Sequence, residues 1–141
     1  MNILYIDHGG YTSDDHIYQY YGDLLRQLRT MANVSLYEGQ TKNLPNMLSQ
    51  SEIDFDCIIF GLGYFAQSNP ESFEKIEGLA ELTTPVVCML HKPQNMLEEK
   101  LKFCASNKVD ILLDYFGNAE KNVATRSPRS WFTANPEIFH P

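Results

Sequence analysis

The sequence predicts an α/β domain: a doubly wound, mostly parallel, Rossmann-like sheet in three layers. Three observations predict it. Short apolar runs alternate along the chain with segments of helical spacing, the pattern of repeated strand–helix units. Several of those runs, at residues 3–6, 56–60 and 85–90, are almost continuously apolar, as parallel strands covered on both faces must be. Three of them stop on short turn-forming stretches, His8-Gly9-Gly10, Gly61-Leu62-Gly63 and His91-Lys92-Pro93.

Taken in order, Ile3, Leu4, Tyr5 and Ile6 make the first strand. Ser13 or Asp14 can cap a helix beginning near Asp15, in which Ile17, Tyr20, Tyr21, Leu24, Leu28 and Met31 fall on one face. Val34 to Tyr37 form a short second strand, and Pro45 starts a short helix through Ser51. The third strand covers 56–60. Asn69 and Pro70 read as the cap and first residue of a helix carrying Phe73, Ile76 and Leu79. The fourth strand covers 85–90, the next helix face is Leu97, Leu101 and Cys104, and the fifth strand covers 109–113. A short helix at 118–125 and a sixth, edge strand at 130–132 complete the domain, assigned to residues 1–133, and 134–141 form an extended exit. The expected strand order is 2-1-3-4-5 with the sixth at the edge. Right-handed crossovers then put the topological switch point between strands one and three, where the first two glycine turns meet.

Length and charge narrow the function. At 141 residues the chain supports one core. A net charge of −7 argues against general nucleic-acid binding, which needs a basic surface. No apolar run approaches the roughly 20 residues of a membrane span, and no basic stretch precedes the first apolar run, so no signal peptide is expected. Cys57, Cys88 and Cys104 have no metal-ligand spacing and read as reduced core thiols of a cytoplasmic protein. No metal site is expected.

The candidate site residues sit at strand ends. Gly9 and Gly10 let the backbone approach a ligand, with helix N–H groups close behind, or simply form a tight turn; the loop is neither of the common phosphate-binding glycine motifs. His91 ends the fourth strand, where it can donate to a sugar hydroxyl, stabilise charge or act as a base, or bond a loop carbonyl. His8 occupies the equivalent place after the first strand. Asp7 is a possible base, although an aspartate there more often bonds loop amides. Gly61, Gly63 and Tyr64 line the turn after the third strand, and Tyr11, Tyr64 and Tyr115 lie near strand ends as aromatics able to stack on sugars or bases. Arg126 and Arg129 flank Pro128 and can hold an anion or remain solvated.

In element order the chain resembles the N-terminal half of GT-B-type glycosyltransferases, in particular family-4-like and CgeB-like spore-maturation enzymes. Three places carry the resemblance: Asn2-Ile3-Leu4-Tyr5-Ile6 leading into His8-Gly9-Gly10; the strand Pro85-Val86-Val87-Cys88-Met89-Leu90 ending in His91; and the exit Asn135-Pro136-Glu137-Ile138-Phe139-His140-Pro141. The exit departs from the family pattern, having Ala134-Asn135-Pro136 where Gly-Val-Asp is usual. The resemblance implies metal-independent transfer from a nucleotide-sugar donor to a sugar, protein or polysaccharide acceptor. The donor would bind mainly to a C-terminal domain or subunit, and this chain would form the acceptor side. His91 would contact the donor sugar. His8, Gly9, Gly10, Tyr11, Gly61, Gly63, Tyr64 and Arg129 would serve substrate binding, with no further cofactor. The 141 residues alone, lacking the donor-binding glutamate motif, are expected not to transfer sugar.

Two other classes share the expected topology. A receiver-like signalling domain needs an acidic residue where Gly61 stands, and a flavodoxin-like loop needs hydroxyls that His8-Gly9-Gly10-Tyr11 does not offer before Thr12. A non-catalytic module acting through a protein partner is the third alternative.

Overall fold

The computed structural model describes residues 1–8, 19–65, 73–92 and 95–114, with residues 19–23 and 114 as backbone only. The strands are β1 (Asn2–Ile6), β2 (Asn33–Tyr37), β3 (Cys57–Phe60), β4 (Val86–Leu90) and β5 (Ile111–Asp114); the helices are α1 (Gln19–Met31), α2 (Leu44–Gln50) and α3 (Leu97–Ser106). All five strands are parallel, in the order β2-β1-β3-β4-β5. This is the doubly wound, Rossmann-like order expected from the sequence.

The apolar runs explain the sheet. β1 is buried from Ile3 through Ile6, as a strand flanked by β2 and β3 and covered on both faces should be. Pairing places Ile6 beside Phe60 and Phe60 beside Cys88, and Cys88 beside Leu112. These side chains share one face and pack with Leu44 of α2 and with Phe103 and Cys104 of α3 in the main core. Ile3, Tyr5 and Val87 alternate onto the other face and are also buried. The chain reverses its direction across the sheet after β2. Right-handed crossovers therefore place α1 opposite the later connections, and Leu25 is a buried residue of α1. Each fully buried aliphatic or aromatic side chain contributes about 1.5–3 kcal/mol. Cys57, Cys88 and Cys104 are free thiols, the latter two buried.

One element differs from expectation. The described part of the expected helix through Phe73, Ile76 and Leu79 is a series of turns, followed by a 3-10 turn at Leu79–Glu81. The apolar residues still reach the core: Ile76 and Leu79 are buried and Phe73 packs against it. The backbone is not helical because its partners lie elsewhere. Buried Asn107 accepts the Ile76 N–H at 2.8 Å through Oδ1 and donates to the Phe103 carbonyl at 2.9 Å. Gly78 adopts φ +77, a left-handed geometry that stops a helix. The start of the first helix near Asp15, the helix at 118–125, the edge strand at 130–132 and the exit at 134–141 lie outside the described residues.

Candidate functional site

The carboxyl ends of β1 and β3 meet where the strand order reverses, the position at which open α/β sheets bind ligands. β1 runs directly into Asp7 and His8. Asp7 is only 1% exposed. Its Oδ1 accepts the His8 N–H at 2.8 Å and its Oδ2 accepts the Gly63 N–H at 3.2 Å, so the carboxylate ties the end of β1 to the turn after β3. Asp7 is thus the loop-amide acceptor that its position predicted. Burial pushes its carboxyl up to about 7, outweighing the two N–H bonds that favour the charged form.

The turn after β3 is held tightly. Gly61 donates to the Ile6 carbonyl at 2.8 Å and accepts from the Tyr64 N–H at 3.2 Å. A Cβ at Gly61 would lie 2.3 Å from both the Asp7 carboxylate and the Tyr5 hydroxyl. Only glycine lets those two groups close over the turn. The Tyr5 hydroxyl is buried beside Asp7 without an aligned hydrogen-bond partner, and burial raises its pKa strongly. Tyr64, read from sequence as a rim aromatic, is instead 1% exposed. Its ring stacks on His8 with centroids 5.1 Å apart and planes 7° from parallel, and meets Phe60 and Phe65 edge-on.

His8 is half-buried. Burial lowers its pKa, and a backbone hydrogen bond at Tyr64 partly offsets that. His91 follows β4, the strand next to β3, and is also half-buried. Burial, with the adjacent Lys92 and Lys100 charges, pushes its imidazole down to about 4. Both rings are therefore neutral at physiological pH. An aromatic row joins the two strand ends: His8 on Tyr64, Tyr64 against Phe65, and the Lys100 ammonium 5.9 Å over the Phe65 ring. Lys100 in turn donates to the His91 carbonyl at 2.7 Å.

The structure thus gathers His8, Gly61, Gly63 and Tyr64 at one switch point and sets His91 at the end of the next strand. Gly9, Gly10, Tyr11 and Arg129 lie outside the described residues. Sequence reasoning missed Lys100. The signal was present: Lys100, Phe103 and Cys104 follow helical spacing, so the lysine falls on the apolar stripe rather than the solvent face. Beyond Asp7, the same rim continues to β2, whose Tyr37 carbonyl accepts the Asp7 N–H at 3.1 Å. There Tyr37 and α2 wall an open groove of about 480 Å³, lined also by Asn43, Asn46, Met47, Gln50 and Ser51.

The group whose pKa matches neutral-pH proton transfer, Asp7, is sealed from solvent and occupied by loop amides. The half-buried His91 imidazole, pushed down to about 4, is too weakly basic to be an effective general base, and both imidazoles remain hydrogen-bond donors and acceptors. Among the described residues no cluster of His, Cys, Asp and Glu could hold a metal ion, and no helix is long and apolar enough to cross a membrane. Comparison with known family models, curated proteins and solved structures gives no match.

Proposed function

We propose that the chain is the acceptor-side half of a metal-independent glycosyltransferase, acting on a nucleotide-sugar donor held mainly by a second domain or subunit. The observation that carries the reading is the rim itself: a switch point closed by the Gly61–Tyr64 turn, with a neutral histidine at the end of β1 and another at the end of β4. The resemblance of the β1 exit, the β4 exit and the 134–141 tail to GT-B enzymes supports the same reading. In it, His91 donates a hydrogen bond to a donor-sugar hydroxyl, and the neutral ring loses nothing to protonation at physiological pH. The amide-lined groove beside Tyr37 offers hydrogen-bonding surface on the acceptor side. A cytoplasmic location fits an enzyme that uses cytoplasmic nucleotide sugars.

The test is a screen of nucleotide sugars with the full-length gene product and with the 141-residue chain. The gene product should release nucleoside diphosphate in the presence of a sugar acceptor, and the chain alone should not. Absence of release from every nucleotide sugar, with a flavin spectrum or capture of a protein partner instead, would replace the transferase by a binding module.

A further inference from the structure

Lys100 is placed where a lysine is costly. It is 1% exposed on the inner face of α3. Its Nζ donates to the His91 carbonyl at 2.7 Å and to the Lys92 carbonyl at 2.9 Å, and sits over the Phe65 ring. Bonds to main-chain carbonyls and an aromatic face compensate part of the desolvation of a buried ammonium.

The backbone it grips is left-handed at Lys92. Lys92 has φ +46 and Met96 φ +53, left-handed values that side chains with a Cβ rarely adopt. The Lys92 carbonyl also accepts the Asn95 N–H at 3.0 Å, and Met96 accepts the Lys100 N–H at 3.1 Å. The left-handed backbone and the buried ammonium are thus parts of one structure. Strain of this kind persists only where the surroundings enforce it, and the Lys100 ammonium is bonded to the carbonyl of left-handed Lys92 itself.

We propose that Lys100 is a positioning residue for His91: by gripping the His91 and Lys92 carbonyls from within α3, it fixes the left-handed backbone at Lys92 and thereby where the imidazole stands at the rim. The functional meaning rests on the reading of His91 as the sugar contact, but the coupling itself exists without substrate. Among the described residues, the charges of Lys92 and of Lys100 on α3 act on His91. Those acting on Lys100 are Lys92, the Cys88 thiol on β4 and Glu99 on α3.

The test is NMR on the 141-residue chain, wild type and with Lys100→Met or Lys100→Arg. In the wild type the Lys100 ammonium protons should exchange with water far more slowly than those of exposed Lys102. Lys100→Met keeps the length and apolar stem but removes donors and charge. Exchange of the Asn95 amide should then quicken about tenfold, and the His91 titration midpoint should move up. Lys100→Arg, which keeps the charge, should leave that midpoint near the wild-type value. Equal ammonium exchange for Lys100 and Lys102 overturns the proposal even if neither variant folds. So does Lys100→Met with unchanged Asn95 exchange and His91 midpoint. Unchanged sugar turnover in His91→Ala would remove the transferase role of His91 and leave the coupling standing.

Discussion

Replacing Asp7 by asparagine should invert its effect on stability between acid and alkaline pH. Asp7 has its carboxyl raised from the ordinary 3.8 to about 7, chiefly by burial. The native state therefore holds a proton that the unfolded chain has already released, so the contribution to stability is full below pH 4 and falls as pH rises through 7. At about 1.4 kcal/mol per pH unit, the rise from 3.8 to about 7 is worth about 4 kcal/mol. That is a large share of the roughly 5–15 kcal/mol that holds a domain together. Asparagine cannot ionise, but it has one accepting oxygen where Asp7 uses two, for the His8 and Gly63 amides. Losing one of those bonds costs about 1–3 kcal/mol at any pH. Asp7→Asn should thus be less stable than wild type near pH 4 and more stable at pH 8, with the difference crossing zero between about pH 4.5 and 6. Urea unfolding of both proteins across that range measures it. His8 and His91, whose pKa values are lowered, push stability the opposite way as pH falls, but they are common to both proteins and largely cancel in the difference. A constant difference from pH 4 to 8 would refute the reasoning, because it would mean that Asp7 ionises as an ordinary carboxyl.

Other consequences follow from single contacts. Gly61→Ala must push a Cβ into the buried Asp7 and Tyr5 side chains, so chemical denaturation should show a loss of about 2–3 kcal/mol. Gly78→Ala meets no neighbouring atom and should lose only about 1 kcal/mol, through its left-handed backbone. Tyr64→Phe removes a buried hydroxyl that has no aligned partner, and the midpoint of thermal unfolding should hold or rise; a fall worth more than about 1 kcal/mol would reveal a hydrogen bond there. Asn107→Ala strands the Ile76 amide in the core and should cost about 2–3 kcal/mol by urea unfolding.

The fold was legible because its signals are local and redundant. Ile3 to Ile6, Cys57 to Phe60 and Val86 to Leu90 are continuously apolar, and that alone marks parallel strands buried on two faces. The strand order then follows from crossover handedness. What failed to show was the segment around Ile76: its apolar spacing suits a helix, and only the long-range bond from Asn107 and the backbone at Gly78 make it a turn. At the site, the ends of β1, β3 and β4 could be read from the sequence, and with them the places of Asp7, His8, Gly61 and His91 along the rim. Periodicity could not show that Tyr64 folds inward beneath His8, because a tyrosine after a glycine turn reads the same whether it faces solvent or core. Lys100 was missed for the complementary reason. Its place on the apolar stripe of α3 was visible, but its carbonyl partners at 91 and 92 come from a backbone path that no residue pattern announces.

The proposed glycosyltransferase function rests most on His91 as the residue that would meet the donor sugar. The direct measurement is the rate of sugar transfer from a nucleotide sugar by the chain together with the donor-binding domain or subunit the proposal calls for, wild type and His91→Ala, from pH 6 to 8. His91, with its imidazole pushed down to about 4, stays neutral throughout that range. Loss of its hydrogen bond in the transition state should lower kcat/KM about tenfold or more, by the same factor at each pH. Equal rates for the two proteins would contradict the account.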